Sequence, residues 1–276
     1  MKRAPMNKIY TSLFLLTFFL NPVSFAQDLG NGKDPVEISA DKTLEWLQNQ
    51  KQYVANGNVE AKQGDVIILT DKLVADYKDD SKSGNVEIWQ LTAEGNVSIK
   101  NTDSTATGDK AVYNVETGLA TLTGQDLKLT TPDQVITAQE RMEYNAHQGV
   151  AKAIGHAKIV QEKNTLTAQT ITAYFEKDQS GNQVLKNADA AGGVTIKTPD
   201  EILTGDAGFY NAANNTAEVK GNVKITRGPN QLEGARAEMN LTTNVSKMFG
   251  SPENNKRVKG IFYPGSDKST VKAKEQ

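Results

Sequence analysis

From Leu91 to Ile99 the chain alternates. Leu91, Ala93, Val97 and Ile99 are apolar or small on one row, Gly95 sits among them, and Thr92, Glu94, Asn96 and Ser98 fill the polar row between. A period of two buries one row and wets the other, which predicts a strand rather than a helix. Close copies of Gly95-Asn96-Val97 recur at Gly57-Asn58-Val59, Gly192-Gly193-Val194 and Gly221-Asn222-Val223. Weaker ones stand at Gly124-Gln125-Asp126 and Gly155-His156-Ala157.

Each glycine heads a unit: an outgoing strand through the glycine, a turn, a returning strand that ends in an aromatic, and a second turn. The aromatics are Tyr77, Tyr113, Tyr144, Tyr174 and Tyr210, with Met239 in the last unit, at 20, 18, 20, 19, 18 and 18 residues from their glycines. Spacing this regular marks an internal repeat. Turn formers separate the segments, among them Gly64-Asp65, Pro132-Asp133, Pro199-Asp200, Thr117-Gly118 and Asn214-Asn215.

The extended stretches run to about a dozen residues, against the usual five or six, so something interrupts them. A glycine on the inward row can take dihedrals closed to other residues and bend the strand from one sheet into a facing one. A hairpin tip at the same glycine is the competing reading, but it adds a third turn to each unit. In the Gly124 unit the apolar pair Leu127 and Leu129 comes one residue late, which predicts a bulge. Successive glycines are 38, 29, 31, 37 and 29 residues apart, long-short-short and again long-short. The two long units carry their excess around Ser83-Gly84-Asn85 and Ser180-Gly181-Asn182, which predicts a duplicated three-unit block, 57–154 and 155–250.

The ends complete the organisation. Lys2, Arg3 and Lys8, the apolar run from Ile9 to Leu20 and Ser24-Phe25-Ala26 predict a secretory signal peptide over 1–26, cleaved after Ala26. An uncleaved anchor is the alternative, but about a dozen apolar residues are too few to span a bilayer. A flexible lead over 27–35 precedes a β domain over 36–266, and 267–276 reads as a disordered tail. Asp41 to Trp46 resembles the second half of a unit, so the domain starts in mid-repeat; a short amphipathic helix over Leu44 to Val54 is the competing reading. Val258 to Tyr263 reads as a closing strand.

Composition removes several function classes. Without cysteine there is neither a disulfide framework nor a lipidated cysteine. Residues 1–26 carry three cations and no acid, so their removal takes the formal charge from −2 to −5, unsuited to nucleic acid. The two histidines, His147 and His156, stand at no metal-ligand spacing. Asp109, Glu140, Asp206 and Glu238 read as outward strand or turn residues rather than paired catalytic acids, and neither a phosphate-binding loop nor a serine-nucleophile elbow occurs. The sequence predicts no enzyme, no cofactor and no metal site.

The informative feature is the inward row. Its candidate ligand-facing residues are Leu91, Val97 and Ile99, then Leu122, Leu127 and Leu129, then Ile159, Val194 and Ile196, then Val219, Val223 and Ile225. Alanines dominate one half of each strand. Either the sheets close tightly there, or they splay into a long apolar groove able to hold acyl chains. The terminal strands, with Val36 and Ile38 at one end and Val258, Ile261 and Phe262 at the other, offer edges for pairing with partners.

Val36-Glu-Ile-Ser-Ala-Asp41, the Gly-Asn-Val-x-Ile units with their Leu-Thr-Ala/Gly-x-x-x-x-Tyr partners, and Lys256-Arg-Val-Lys-Gly-Ile-Phe262 together resemble the LptA/OstA-like family of periplasmic lipopolysaccharide transport proteins, over roughly Pro35 to Ser266. The resemblance implies an elongated all-β jellyroll of two facing, mostly antiparallel sheets, whose interior shields the acyl chains of lipopolysaccharide. It implies a periplasmic, non-enzymatic bridge between an inner-membrane-anchored jellyroll and the periplasmic domain of the outer-membrane translocon, with head-to-tail homo-oligomers as a further possibility. This chain is longer than a compact member, and its stack is expected to reach about 60 Å at about 4.8 Å per strand. The alternative from another class is a parallel β-helix that binds or degrades polysaccharide, since such solenoids also repeat near thirty residues.

Overall fold

The computed structural model describes residues 36–79, 86–243, 245–251 and 257–264. The expected signal peptide, lead and tail lie outside the described residues. Eighteen strands follow one another: β1 Glu37–Ser39, β2 Thr43–Leu47, β3 Gln52–Gln63, β4 Val66–Asp79, β5 Val86–Lys100, β6 Thr105–Asn114, β7 Leu119–Thr123, β8 Leu127–Thr130, β9 Val135–Ala138, β10 Arg141–Asn145, β11 Val150–Gln161, β12 Asn164–Lys177, β13 Gln183–Lys197, β14 Ile202–Asn211, β15 Thr216–Arg227, β16 Asn230–Asn240, β17 Val245–Phe249 and β18 Lys259–Ile261. No helix occurs among the described residues, and Leu44 to Val54 belongs to β2 and β3.

Every strand pairing is antiparallel. A parallel β-helix stacks its coils through parallel pairs, so that alternative is overturned. The chain is an all-β jellyroll whose two facing sheets are the two arms of bent strands. One arm runs β2, β3, β4, β5, β6, β7, β10 and then β11 through β17. The other runs β1, β3, β4, β5, β6, β8, β9, β11 through β16 and β18. At the two ends and in the middle the bend breaks the strand in two, and elsewhere one strand serves both arms.

The bends are the unit glycines. In β3 the two residues Gly57 and Asn58 stand against the single residue Asp71 of β4, and β5 does the same with Gly95 and Asn96 against Asp109 of β6. That is a two-against-one bulge, and the strand continues through it; the hairpin-tip reading fails because the turns lie elsewhere. The bulge residues are left-handed, with φ of +83° at Gly95 and +46° at Asn96. Asparagine tolerates that region better than most residues. An acid earlier in the chain, on the preceding strand or, for Asp41, between β1 and β2, accepts across the bend: Asn96 donates to Asp71 at 2.8 Å, Asn58 to Asp41 at 2.8 Å and Asn222 to Asp206 at 3.0 Å. A Cβ on Gly95 would fall inside the Asp71 carboxylate. Asp206 is an outward residue, as expected, but like Asp71 it serves as a clamp. His156, at φ +46°, takes the asparagine's place in its unit.

Two expectations need correction. The Gly124 unit does not carry a bulge within one strand: the strand ends at Thr123 and resumes at Leu127, with the backbone amide of Gln125 donating to Asp109 at 2.9 Å. The second concerns the aromatic of the Gly155 unit, which is Phe175 rather than Tyr174. Ile171, Ala173 and Phe175 alternate along β12 and all three are buried, Phe175 to 9% exposure, while Tyr174 between them is only half-buried. The register shift beside them leaves its unmatched residue, Lys186, on β13, so the alternation of β12 runs unbroken to Phe175.

The pairing registers also explain the alanines. Tyr113 lies opposite Ala120, Ala120 opposite Tyr144, Tyr144 opposite Ala151, Ala188 opposite Tyr210, and Ala217 opposite Met239. Small side chains on outgoing strands make room for large ones on returning strands, the cross-strand fit that stabilises a sheet face. The other arm instead presents Ile68, Ile99, Leu129, Ile136, Ile159, Ile196 and Ile225. Isoleucine and leucine therefore face aromatic and alanine across the interior.

Candidate functional site

The two arms do not close completely. A cavity of about 140 Å³ lies in the middle of the stack, lined from one arm by Leu91, Leu122, Met142, Tyr144 and Phe175 and from the other by Ile99, Leu129, Ile136 and Ile159. A second, of about 90 Å³, follows toward the C-terminal end, lined by Ala190, Val194, Ile196, Leu203, Val219, Ile225 and Met239. Ile159 and Ile171 line both, so the two spaces adjoin along one apolar interior. The larger cavity sits over the split strands β7 to β10, where β7 pairs β10 and β8 pairs β9.

The sequence candidates divide in two. Leu91, Ile99, Leu122, Leu129 and Ile159 border the first cavity, and Ile159, Val194, Ile196, Val219 and Ile225 the second. Val97, Leu127 and Val223 do not border either. Two or three residues beyond their glycines, they fill the inside of the bend at 1% exposure each. Of the edge residues, Ile38 lies in β1 and Ile261 in β18, while Val36, Val258 and Phe262 flank those strands. Phe262 is the most exposed large apolar residue among the described residues, at 70%.

The residues missed from the interior are mostly on returning strands: Ile68, Leu73, Tyr113, Ile136, Met142, Ile171, Phe175, Leu203 and Met239. The signal was available. Leu73, Ala75 and Tyr77 alternate as cleanly as the outgoing rows, and all three are buried.

Ionisable chemistry is sparse inside. Burial pushes the Tyr113 and Tyr144 hydroxyls above the usual phenol range, and for Tyr144 a hydrogen bond donated to Gln183 Oε1 at 2.7 Å opposes the shift. Glu201, on the wall of the second cavity, is raised above the usual carboxylate range by burial, against the pull of Arg227. No group of three or more His, Cys, Asp or Glu able to hold a metal ion occurs among the described residues. No helix among them is long and apolar enough to cross a membrane.

The described strands thus form an antiparallel jellyroll around one apolar interior. The family model described as LptA/(LptD N-terminal domain) LPS transport protein matches the chain twice, over residues 37–150 and 136–245, and the chain belongs to that family. It is similar to an uncharacterised protein of Rhizobium meliloti (strain 1021), 23% identical over 129 residues that make up 45% of this chain and 69% of that protein. It is also similar to the LPS-assembly protein LptD of Nitrosomonas europaea, 31% identical over 75 residues, 27% of this chain but only 10% of LptD. Among solved structures, LptH, the LptA-homologous periplasmic component of the lipopolysaccharide transport device of Pseudomonas aeruginosa, matches with a TM-score of 0.40 and 18% identity, over 48% of this chain and 95% of LptH.

Proposed function

We propose that this protein is a periplasmic, non-enzymatic bridge that holds the acyl chains of lipopolysaccharide between its two arms and passes the lipid along the stack toward the outer membrane. The supporting observation is the shared lining of the two cavities by Ile159 and Ile171, which makes one apolar path across more than one repeat. Apolar side chains gain about 25 cal/mol per Å² when acyl surface replaces water against them. A cavity near 140 Å³ is on the scale of the roughly 150 Å³ that holds a benzene-sized body, so several acyl chains require the arms to part.

In this reading the membrane-anchored jellyroll docks at one terminal edge and the translocon's periplasmic domain at the other, with the signal peptide over 1–26 directing export. A photo-crosslinking residue placed at Ile99, Ile159 or Ile225 is expected to capture lipopolysaccharide in cells, and one at the outward Ser98 or Lys158 is not. Equal capture at both sets would refute the assignment.

A further inference from the structure

The bends close one side of the interior, and two rows of hairpins border the other. The two rows differ in chemistry. On the arm of Leu91 and Tyr144 the inward residues at the hairpins are apolar: Ile88, Val115, Ala146 and Leu185 pack against the core, and Leu241 is buried. On the arm of Ile99 and Ile159 the inward row turns polar at its last position. Two residues beyond Ile99 stands Asn101, beyond Leu129 Thr131, and beyond Ile196 Thr198; two residues before Ile136 stands Gln134, and before Leu203 Glu201. A period of two keeps each of them on the inward face. From β3 to β16 only Val66 departs from this pattern.

The registers set these residues on one line across the arm. Val135 opposite Val160 brings Gln134 beside Gln161, and Ile202 opposite Thr226 brings Glu201 beside Arg227. The backbone amide of Thr131 donates to the Gln134 carbonyl at 3.0 Å, and that of Thr198 to the Glu201 carbonyl at 2.9 Å. Turn geometry accounts for part of the row. Asn101 Oδ1 accepts from the Ser104 amide at 2.8 Å, Thr131 Oγ1 from the Gln134 amide at 3.3 Å, and Thr198 Oγ1 from the Glu201 amide at 3.1 Å. It does not account for the Gln134 side chain, which is 3% exposed and whose Oε1 and Nε2 both lack a hydrogen-bond partner among the described residues. A buried amide left unpaired carries its full desolvation cost, and a leucine or methionine would fill the space without it. Gln134 stands at the central seam, where β7 and β8 meet β10 and β9, two residues from Ile136 on the wall of the larger cavity.

We propose that this row binds the sugar of a glycolipid headgroup: with acyl chains between the parted arms, the Gln134 amide meets sugar hydroxyls, donating from Nε2 and accepting at Oε1. The inference rests on the conduit reading above and adds which rim the head of the lipid faces. Neutral hydroxyls fit the row better than a phosphate does, because from β3 to β16 its one cation, Arg227, stands beside Glu201.

Dodecyl maltoside and dodecylphosphocholine carry the same alkyl chain under a sugar and under a zwitterionic phosphate. Titrated into the full chain below their micellar concentrations and followed by calorimetry, the maltoside is expected to bind the more tightly, and maltose alone not measurably. Gln134→Met keeps the bulk of the side chain without its amide. It is expected to weaken maltoside binding about two- to tenfold, the worth of one net hydrogen bond, to leave the phosphocholine unchanged, and to hold or raise the urea unfolding midpoint. Gln161→Ala, at the half-buried neighbouring position, is expected to weaken the maltoside in the same direction and keeps the test open should the first variant not fold. A lower midpoint for Gln134→Met, equal losses for both detergents, or maltose binding as tightly as dodecyl maltoside would each overturn the headgroup row. Equal binding of both detergents, changed by neither variant, would remove the row and leave the apolar conduit standing, whereas binding of neither would remove both.

Discussion

Tyr174 and Phe175 are neighbours, and the alternation of Ile171, Ala173 and Phe175 along β12 leaves only Phe175 of the two facing the interior. The consequence is measurable. Phe175→Ala removes a buried ring beside the larger cavity and is expected to cost about 3–5 kcal/mol, read from urea unfolding midpoints. Tyr174→Ala removes a half-exposed ring and is expected to cost less than about 1 kcal/mol. The reverse order would mean that Tyr174, and not Phe175, faces the interior. At this scale the inward rows were legible: Leu91 to Ile99 shows its row plainly, and Ile171, Ala173 and Phe175 show theirs, although the spacing of the tyrosines points to Tyr174 instead. The alanines were visible but their cause was not, because Ala120 owes its size to Tyr113 and Tyr144 on either side, and cross-strand neighbours are unknown until the register is.

At the scale of the strand, the bulge is the recurring device, built from parts on separate strands. Gly95 must be glycine on two counts, its left-handed φ of +83° and the Asp71 side chain that occupies the space of a Cβ. Thr70 holds the other side, its hydroxyl donating to the carbonyl oxygens of Glu94 at 2.9 Å and Gly95 at 3.0 Å. Gly95→Ala is therefore expected to lose about 2–4 kcal/mol, backbone strain plus steric conflict. In an Asp71→Ala background the carboxylate conflict is gone and the strain remains with a tight Cβ–Cβ contact of 3.0 Å, so the added cost of Gly95→Ala should fall to about 1–2 kcal/mol. Additive losses, measured by denaturant unfolding of all four proteins, would show that the two residues do not meet. The glycine frame made the bends legible in sequence. Their clamps were hidden, since Asp71 and Gly95 lie on different strands, and a polar residue in an outward row looks like any solvated one.

Across the whole molecule, length follows from how many strands each arm holds. β1, β2, β17 and β18 bound the stack, and every strand between them joins its neighbours by antiparallel pairing, across the seam as well as within each half. Thirteen steps lead from β2 to β17 along one arm. At about 4.8 Å per step they make a stack of about 60 Å, shortened somewhat by sheet twist. Small-angle scattering from dilute protein is expected to give an elongated particle at least that long, and a monomer no longer than about 40 Å would contradict the stacking of both halves on one axis. The central seam makes this more than a measure of size. Because β7 and β8 meet β10 and β9 through short strands of four and five residues, the same experiment on protein cut in the Thr131–Gln134 turn tests whether strand pairing alone holds the halves in line: the maximum dimension should stay unchanged if it does, and fall to about half if it does not.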